Sequence, residues 1–600
     1  MRHRKVKLAS VGVLTAVAAS CAHAFTFTYG DIQGNFDSAY TAGIGYRLHG
    51  PDCALVGDSS YCGGGPADTA QWANGDDGDM NYRRNKLFTA YLKGTNELYL
   101  DDQAIGIKFL ARATYFYDFA AANTDRTELS SAAYAQMVRN IRLLDLWAEK
   151  DFRVADQAAQ IRVGNQVINW GESLYLAGGI NATNSFDYQK LLVPGTQLKE
   201  AVLPAPIVLF STALGRNLNM SAYYQLGWNG NIYPAVGSYF STNDLLNNGA
   251  VPGSSSTLNP NVAGPDGATI AGNGSRSAYG AANSGLVNGL YAGSPYYAVG
   301  VPVTGNVYGR NSGQYGISMH YRPTSIQADF GFYYLRYNDK SPVLNVTAAG
   351  QYQYQYLNSR QLFGLSTNFQ LGDWAIGGEL SYRPHDAVAL SGCYNAGGAI
   401  NASNAAAGYC PLWEDKEKIN LDITALLSIS PANYPMILKG LGNASAANLS
   451  LEIGITKYPG VSSDDQVVRT VNGQQVVQIP AAGYITWLND PSSATASPIG
   501  VGTSTSAGAV IDFNWTYDGT LIRGWQVTPG ATYSRTLFGN TPTFSANYLH
   551  NASSLNVYVL FNQNPATWQA GVNWTTYMGK APYQYYRDRD FVGAFVTRNF

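Results

Sequence analysis

Long apolar runs are missing from this sequence. Past its first two dozen residues there is no stretch of roughly 18 consecutive apolar residues, which excludes transmembrane helices. Charge is scarce too: Asp, Glu, Lys and Arg make up 13% of the 600 residues and sum to −2, a balance that argues against a nucleic-acid partner. Six histidines occur in all, and past the N-terminal segment only His49, His320, His385 and His550 remain. There is no Gly-x-Ser-x-Gly and no His-Glu-x-x-His, so hydrolytic and zinc chemistry have little material. Five cysteines lack the spacing of a zinc site, and no cofactor or metal is implied.

Aromatic residues, by contrast, reach 13%, with 43 tyrosines, while mean hydropathy is only −0.15. A chain that crosses lipid without apolar helices must close a β-sheet on itself, so that every backbone group is paired. The N-terminus predicts export: Arg2, Arg4, Lys5 and Lys7 precede an apolar Leu8–Ala19, and Ala22-His23-Ala24 forms a cleavage site. The expected division is a signal peptide over 1–24 and a barrel over 25–600. Lipidation at Cys21 is the rival reading, weakened by Ala18 three residues before it. The sequence stops at Phe600 after Phe591-Val-Gly-Ala-Phe-Val-Thr-Arg-Asn, an aromatic-ended strand of the kind the barrel-assembly machinery reads. Here Val592, Ala594 and Val596 share the face of Phe600, and Arg598 is placed to snorkel. In an oxidising compartment, Cys53 with Cys62 and Cys393 with Cys410 read as two loop-stapling disulfides.

Alternation marks the strands. In 448–456, Leu449, Leu451, Ile453 and Ile455 oppose Asn448, Ser450, Glu452, Gly454 and Thr456. The same pattern runs through 510–517, 567–577 and 326–334, with Trp and Tyr at strand ends as an aromatic girdle requires. Read backwards from the C-terminus, long and short connections alternate. Tight turns fall at Asn564-Pro565-Ala566, Asp518-Gly519, Leu371-Gly372-Asp373 and Arg322-Pro323-Thr324, and a weaker one spans 430–446. Upstream strands are expected near 31–48, 86–100, 103–118, 138–149, 158–169, 206–214 and 220–229, with tight turns at Asp101-Asp102 and Gly215–Asn219. The fold class is therefore all-β: a large transmembrane antiparallel barrel of about 16–18 strands, eighteen on this reading, with long outside loops. Two insertions stand out. Thr242–Gly313, rich in Gly, Ser, Asn and Ala, predicts a disordered loop or an inward plug or constriction. Thr124–Arg139 predicts a short helix capped by Thr124.

From about 158 to 245 the chain carries Ile161-Arg-Val-Gly-Asn-Gln-Val-Ile-Asn-Trp-Gly-Glu172, Gly178-Gly-Ile-Asn, Pro194-Gly-Thr-Gln-Leu-Lys-Glu-Ala201, Leu203-Pro204, Tyr223-Tyr-Gln-Leu-Gly-Trp228, Gly237-Ser-Tyr-Phe-Ser and Asp244. With Ser312-Gly-Gln-Tyr-Gly316, these motifs resemble the proteobacterial outer-membrane proteins grouped as domain of unknown function 1302, over most of the mature chain. The resemblance implies a large barrel related to porins and fatty-acid channels. It also implies a trans-envelope route for hydrophobic or bulky compounds, shared with an outer-membrane lipoprotein and a resistance-nodulation-division type permease of the inner membrane.

Candidate pore-lining residues are the polar members of the inward faces: Arg162, Gln166, Asp329, Glu379, Arg383, Asp422 and Glu452, with Glu172 at the rim where the strand after Arg162 ends. Arg162 suits anionic groups, and Glu172 a loop or ligand. The bland alternative is an ion pair that pins a loop, since lumenal charge is ordinary in barrels. Asn74–Asp79 is acidic and glycine-rich, suggesting calcium, but it lacks a calcium loop's spacing and reads better as a solvated outside loop. His320 lies two residues from Ser318 on one face, a weak hydrolase dyad. The expected function is a conduit for hydrophobic or amphipathic small molecules and not an enzyme. The alternatives are a barrel-embedded lipid hydrolase or a surface adhesion protein using the Thr242–Gly313 loop.

Overall fold

A computed structural model describes residues 25–56, 77–125, 128–242, 247–250, 305–346, 352–390, 394–395, 411–463, 467–471, 474–483, 500–565, 567–580 and 583–600. The expected signal peptide lies outside these. Eighteen antiparallel strands form the ring: β1 (Ile32–Arg47), β2 (Leu87–Asp102), β3 (Ile107–Asp118), β4 (Arg139–Val154), β5 (Gln157–Gln166), β6 (Ala205–Ala213), β7 (Leu218–Gln225), β8 (Gln314–Tyr321), β9 (Ala328–Tyr337), β10 (Arg360–Leu371), β11 (Trp374–Ala389), β12 (Trp413–Ile429), β13 (Ala446–Lys457), β14 (Thr505–Asp518), β15 (Trp525–Phe538), β16 (Ser553–Gln563), β17 (Trp568–Met578) and β18 (Phe591–Asn599). Each pairs with the next in sequence, and β18 returns to β1, with Asn599 opposite Ala39 and Phe591 opposite Arg47. Below that seam a short strand, Phe25–Tyr29, continues the position of β18 and pairs with the lower part of β1.

The alternation read from the sequence is the alternation of the wall. Asp422 and Glu452 are each 1% exposed, while the neighbouring Ile423 and Ile453 are 46% and 44% exposed. Side chains on the outer face, such as Phe332, Phe363, Leu365, Ile511 and Val572, stay uncovered by protein. In water such exposure costs about 25 cal/mol per Å² of apolar area, whereas acyl chains remove that cost. At the outer seam Arg598 lies over Trp568 and Phe600, its centre 4.9 and 4.7 Å from the ring centroids. A closed ring with an apolar outer belt and no helix among the described residues long enough to span places this chain in the bacterial outer membrane.

Short connections lie at one end and long ones at the other, so the short-turn end is periplasmic. Several strands run further than expected at the long-loop end. β11 reaches Ala389 and β12 starts at Trp413, so the wall projects beyond the belt. The hairpin expected at Asp101-Asp102 turns one step later, because both aspartates still pair across β2 and β3. The helix expected from Thr124 is Ser131–Met137, and its cap is Ser130, whose Oγ accepts from the Ala133 N–H. The 430–446 connection carries a helix, Pro435–Gly440, opened by Pro at its first position.

Candidate functional site

Residues 167–204, between β5 and β6, leave the wall and cross the lumen. The stretch has no strand alternation and contains Gly171, Gly178 and Gly179. Such a chain brings unpaired backbone N–H and C=O groups into the barrel, and each must find a partner. The partners are charged side chains on the far wall. Glu379 of β11 accepts the N–H groups of Glu172 (2.6 Å), Ser173 (3.3 Å) and Ile180 (2.8 Å). Glu452 of β13 accepts those of Leu174 (3.1 Å), Tyr175 (2.5 Å) and Leu176 (3.2 Å), and the Ser173 hydroxyl (2.8 Å). Arg383 completes the clasp from the donor side, giving N–H bonds to the carbonyls of Gly178 and Gly179, both 2.7 Å, and to Tyr337 Oη at 2.9 Å. Charge-assisted bonds of this kind are about twice as strong as neutral ones. Gly179 is required for the fit, since a Cβ there would overlap Glu379.

The other side of this strap is tied to β2, about half the ring away. Lys93 Nζ pairs with Glu200 at 2.6 Å and donates to the Gly195 carbonyl at 3.0 Å, and Thr95 donates to Glu200 at 2.8 Å. Tyr91 donates to the Pro194 carbonyl. From β4, Arg142 pairs with Asp187 at 2.8 Å. Between the anchors Ile180, fully buried, packs with Tyr333, Leu335, Tyr337 and Leu362, with Trp170 beside it.

The strap separates two chambers. Above it lies a cavity of about 800 Å³, lined by Leu176, Ala177 and Gly178 of the strap and by aromatic side chains including Tyr188, Tyr233, Tyr354, Phe544 and Tyr548. Below it, at the periplasmic end, a vestibule of about 1110 Å³ is lined by Glu172, Leu174, Arg322, Asp329, Asn368 and Thr424. No residue lines both.

The candidate residues from the sequence fall in four places. Glu379, Arg383 and Glu452 hold the strap. Asp422 lies beside them, bonded through Asn420 Nδ2, with its Oδ1 buried and unpartnered among the described residues. Glu172 is corrected: β5 ends at Gln166, so Glu172 is not at the rim but on the strap across the lumen, its carboxylate within 3.2 Å of Asn368 Nδ2. Arg162 and Gln166 stay on the near wall. Arg162 pairs with Glu149 (2.5 Å) and stacks on Trp147 (4.2 Å), inside a ladder in which Arg112 bridges Glu97 and Asp145. Gln166 donates to the Ile207 carbonyl at 2.9 Å. Asp329 accepts from Arg322 (2.7 Å) and meets His320 Nδ1 (2.9 Å), while His320 Nε2 lies 3.2 Å from Tyr333 Oη. Both ring nitrogens of His320 are thus engaged by groups other than Ser318.

Sequence reasoning missed four residues that seat the strap: Ser173 and Glu200 on it, and Tyr337 and Lys93 on the wall. The inward element expected from Thr242–Gly313 lies largely outside the described residues, as do Cys62, Cys393 and Cys410 and with them both expected disulfides. The acidic loop is a second correction. Its described part, Asp77–Asp79, is not solvated: Asp79 is buried, paired with Arg589 at 2.6 Å and Arg47 at 3.4 Å, and Asp588 pairs with Arg47 at 3.2 Å. The Tyr239 ring lies against both guanidiniums, its centroid 5.4 Å from the centre of each.

A family model described as "Protein of unknown function (DUF1302)" matches residues 5–600. No curated protein matches. Among solved structures the chain is similar to OccAB1 of Acinetobacter baumannii at 10% identity, covering 94% of this chain and 96% of that one with a TM-score of 0.39. It is similar to OccK2 (OpdF) of Pseudomonas aeruginosa in complex with glucuronate at 11% identity, with coverages of 94% and 97% and a TM-score of 0.35. It is also similar to the outer membrane channel DcaP of Acinetobacter baumannii at 10% identity, with coverages of 96% and 100% and a TM-score of 0.32.

Proposed function

The chain belongs to the DUF1302 family, and from that footing we propose that it is a passive outer-membrane channel for hydrophobic or amphipathic small molecules, with the strap as its throat. The observation that carries this reading is the pair of chambers on either side of the strap. The outer one offers aromatic rings and hydroxyls to a compound that is mostly apolar, and the inner one, open to the periplasmic end, sets Glu172, Arg322, Asp329 and Asn368 among apolar side chains such as Leu174 and Leu426. A strap seated by hydrogen bonds, not by a continuous sheet, divides the lumen without making it part of the wall. The conduit reading is favoured over a lipid hydrolase because His320 Nε2, the nitrogen that would serve a nucleophile, faces Tyr333 Oη and not Ser318. The family resemblance extends the proposal to a route shared with a resistance-nodulation-division type permease and an outer-membrane lipoprotein, which copurification with a tagged barrel tests.

The direct test uses the full mature chain in liposomes. An apolar aromatic dye trapped outside is expected to enter faster than into empty liposomes, and ions are expected to cross. If neither ions nor dye pass above background, the channel reading is overturned.

A further inference from the structure

The helix Pro435–Gly440 sits where the connection between β12 and β13 turns at the periplasmic end. Its buried residue, Leu438, is 3% exposed and packs with Leu427, Ile429, Ala444 and Ala447. On their strands Leu427 and Ile429 follow the register of Ile423, and Ala447 that of Ile453, which is the lipid-facing side of the wall. Trp374 of β11 and Trp515 and Tyr517 of β14, also on outward positions, close around the same cluster. The turn has therefore folded back against the outside of the barrel and does not hang beneath the lumen. Tyr517 Oη donates to the Leu441 carbonyl at 2.6 Å and fixes the helix's exit.

The side of this helix turned away from the barrel is apolar. Met436 is 86% exposed and Ile437 44% exposed, and Lys439 beside them is exposed and makes no ion pair among the described residues. We propose that Pro435–Gly440 is a phospholipid-docking element: Met436 and Ile437 enter the acyl boundary of the periplasmic leaflet, and Lys439 reaches a lipid phosphate. Two arguments select lipid over a protein partner. The patch continues the lipid-facing belt without a break, through the Trp and Tyr residues that mark a membrane interface. Its charge is a single flexible cation at the periplasmic edge of the apolar belt, the arrangement of an in-plane interfacial helix. The inference does not depend on whether the lumen conducts.

Photocrosslinking in intact cells tests it. A Met436→p-benzoylphenylalanine variant of the full chain, its folding checked by heat-modifiable migration, is irradiated and analysed by mass. The expected product is an adduct with one phospholipid, in yield comparable to an Ile423→p-benzoylphenylalanine variant on the belt. The yield should be several-fold above an Asp156→p-benzoylphenylalanine variant in a periplasmic turn. A protein adduct at Met436, or a yield no higher than at Asp156, overturns the proposal. An Ile437→p-benzoylphenylalanine variant repeats the measurement and decides the case if the Met436 variant fails to fold.

Discussion

Two polar clusters in this barrel use the same residue types in opposite ways. In the knot at the long-loop end, Arg47, Arg589, Asp79 and Asp588 are spent on one another and on nearby carbonyls, all from side chains taken out of water. In the clasp, Glu379 and Glu452 meet backbone N–H groups of a glycine-rich strap, and the clasp's cation, Arg383, meets backbone carbonyls. The knot joins loops from three parts of the chain by charge pairing, where losing one partner strands another in a dry site. The clasp binds a segment through its backbone, so its strength is divided among many bonds. A knot of the first kind holds or fails as a unit, and a clasp of the second kind can be weakened in steps.

Breaking the knot gives the largest expected effect. Arg589→Ala leaves Asp79 buried beside a single guanidinium and is expected to cost about 3–5 kcal/mol, read as a lower temperature of heat-modifiable unfolding and as protease cuts in the outer loops. Weakening the clasp comes next. In Glu379→Gln with Glu452→Gln one of the two accepting oxygens of each side chain becomes an NH2 donor set against backbone N–H groups, so its bonds are lost, and the bonds to the other oxygen fall from about 1.5–3 toward about 1 kcal/mol apiece. Single-channel recording is expected to show a several-fold rise in conductance with the barrel's melting little changed. An unaltered conductance would mean that the strap does not limit passage.

Acid sharpens the contrast further. Burial pushes the Asp79 carboxyl up, but the Arg589 and Arg47 guanidiniums outweigh it and hold it below the ordinary carboxylate range. Its contribution to stability is therefore complete above the pH where a free aspartate titrates, and it is lost as pH falls through the lower folded value. Burial and the neighbouring Asp79 charge push the Asp588 carboxyl the other way, up to about 8, so its protonation in the fold costs the knot nothing as pH falls, and loop proteolysis should rise only below the range of a free carboxylate. In Asp79→Asn that acid-triggered rise should be gone. The smallest effect belongs to Glu172→Gln. Among the described residues that carboxylate accepts only from the Asn368 amide, while the residue's backbone N–H carries the bond to Glu379, so stability should move by no more than about 0.5 kcal/mol.

The wall was legible because each strand states its register locally: Glu452 between Leu451 and Ile453 needs no distant information to be placed inside. Long and short connections then fixed the count of eighteen. The strap was not legible, because its seat is defined by contacts between residues some 200 positions apart and runs through backbone atoms that any residue type carries. Two signals were available: Gly171, Gly178 and Gly179 within nine residues, and inward carboxylates at 379 and 452 without a cation directly opposite on the next strand. The acidic loop misled for a related reason. Asp79 looks solvated until Arg47 and Arg589, 32 and 510 residues away, are brought to it. The helix at 435–440 was visible only as two prolines that excluded a strand, because six residues are too few to display helical periodicity.

The separation in sequence between the strap and its anchors also orders assembly. The strap is made between β5 and β6, yet Glu379 and Glu452 follow Glu172 and Ser173 by 207 and 279 positions. Until β11 to β13 have been laid down beside one another there is nothing for those N–H groups to bond, and closing so long a loop early would lose entropy without return. The partition therefore has no seat until those strands stand side by side, and the strap waits for the far wall that receives it.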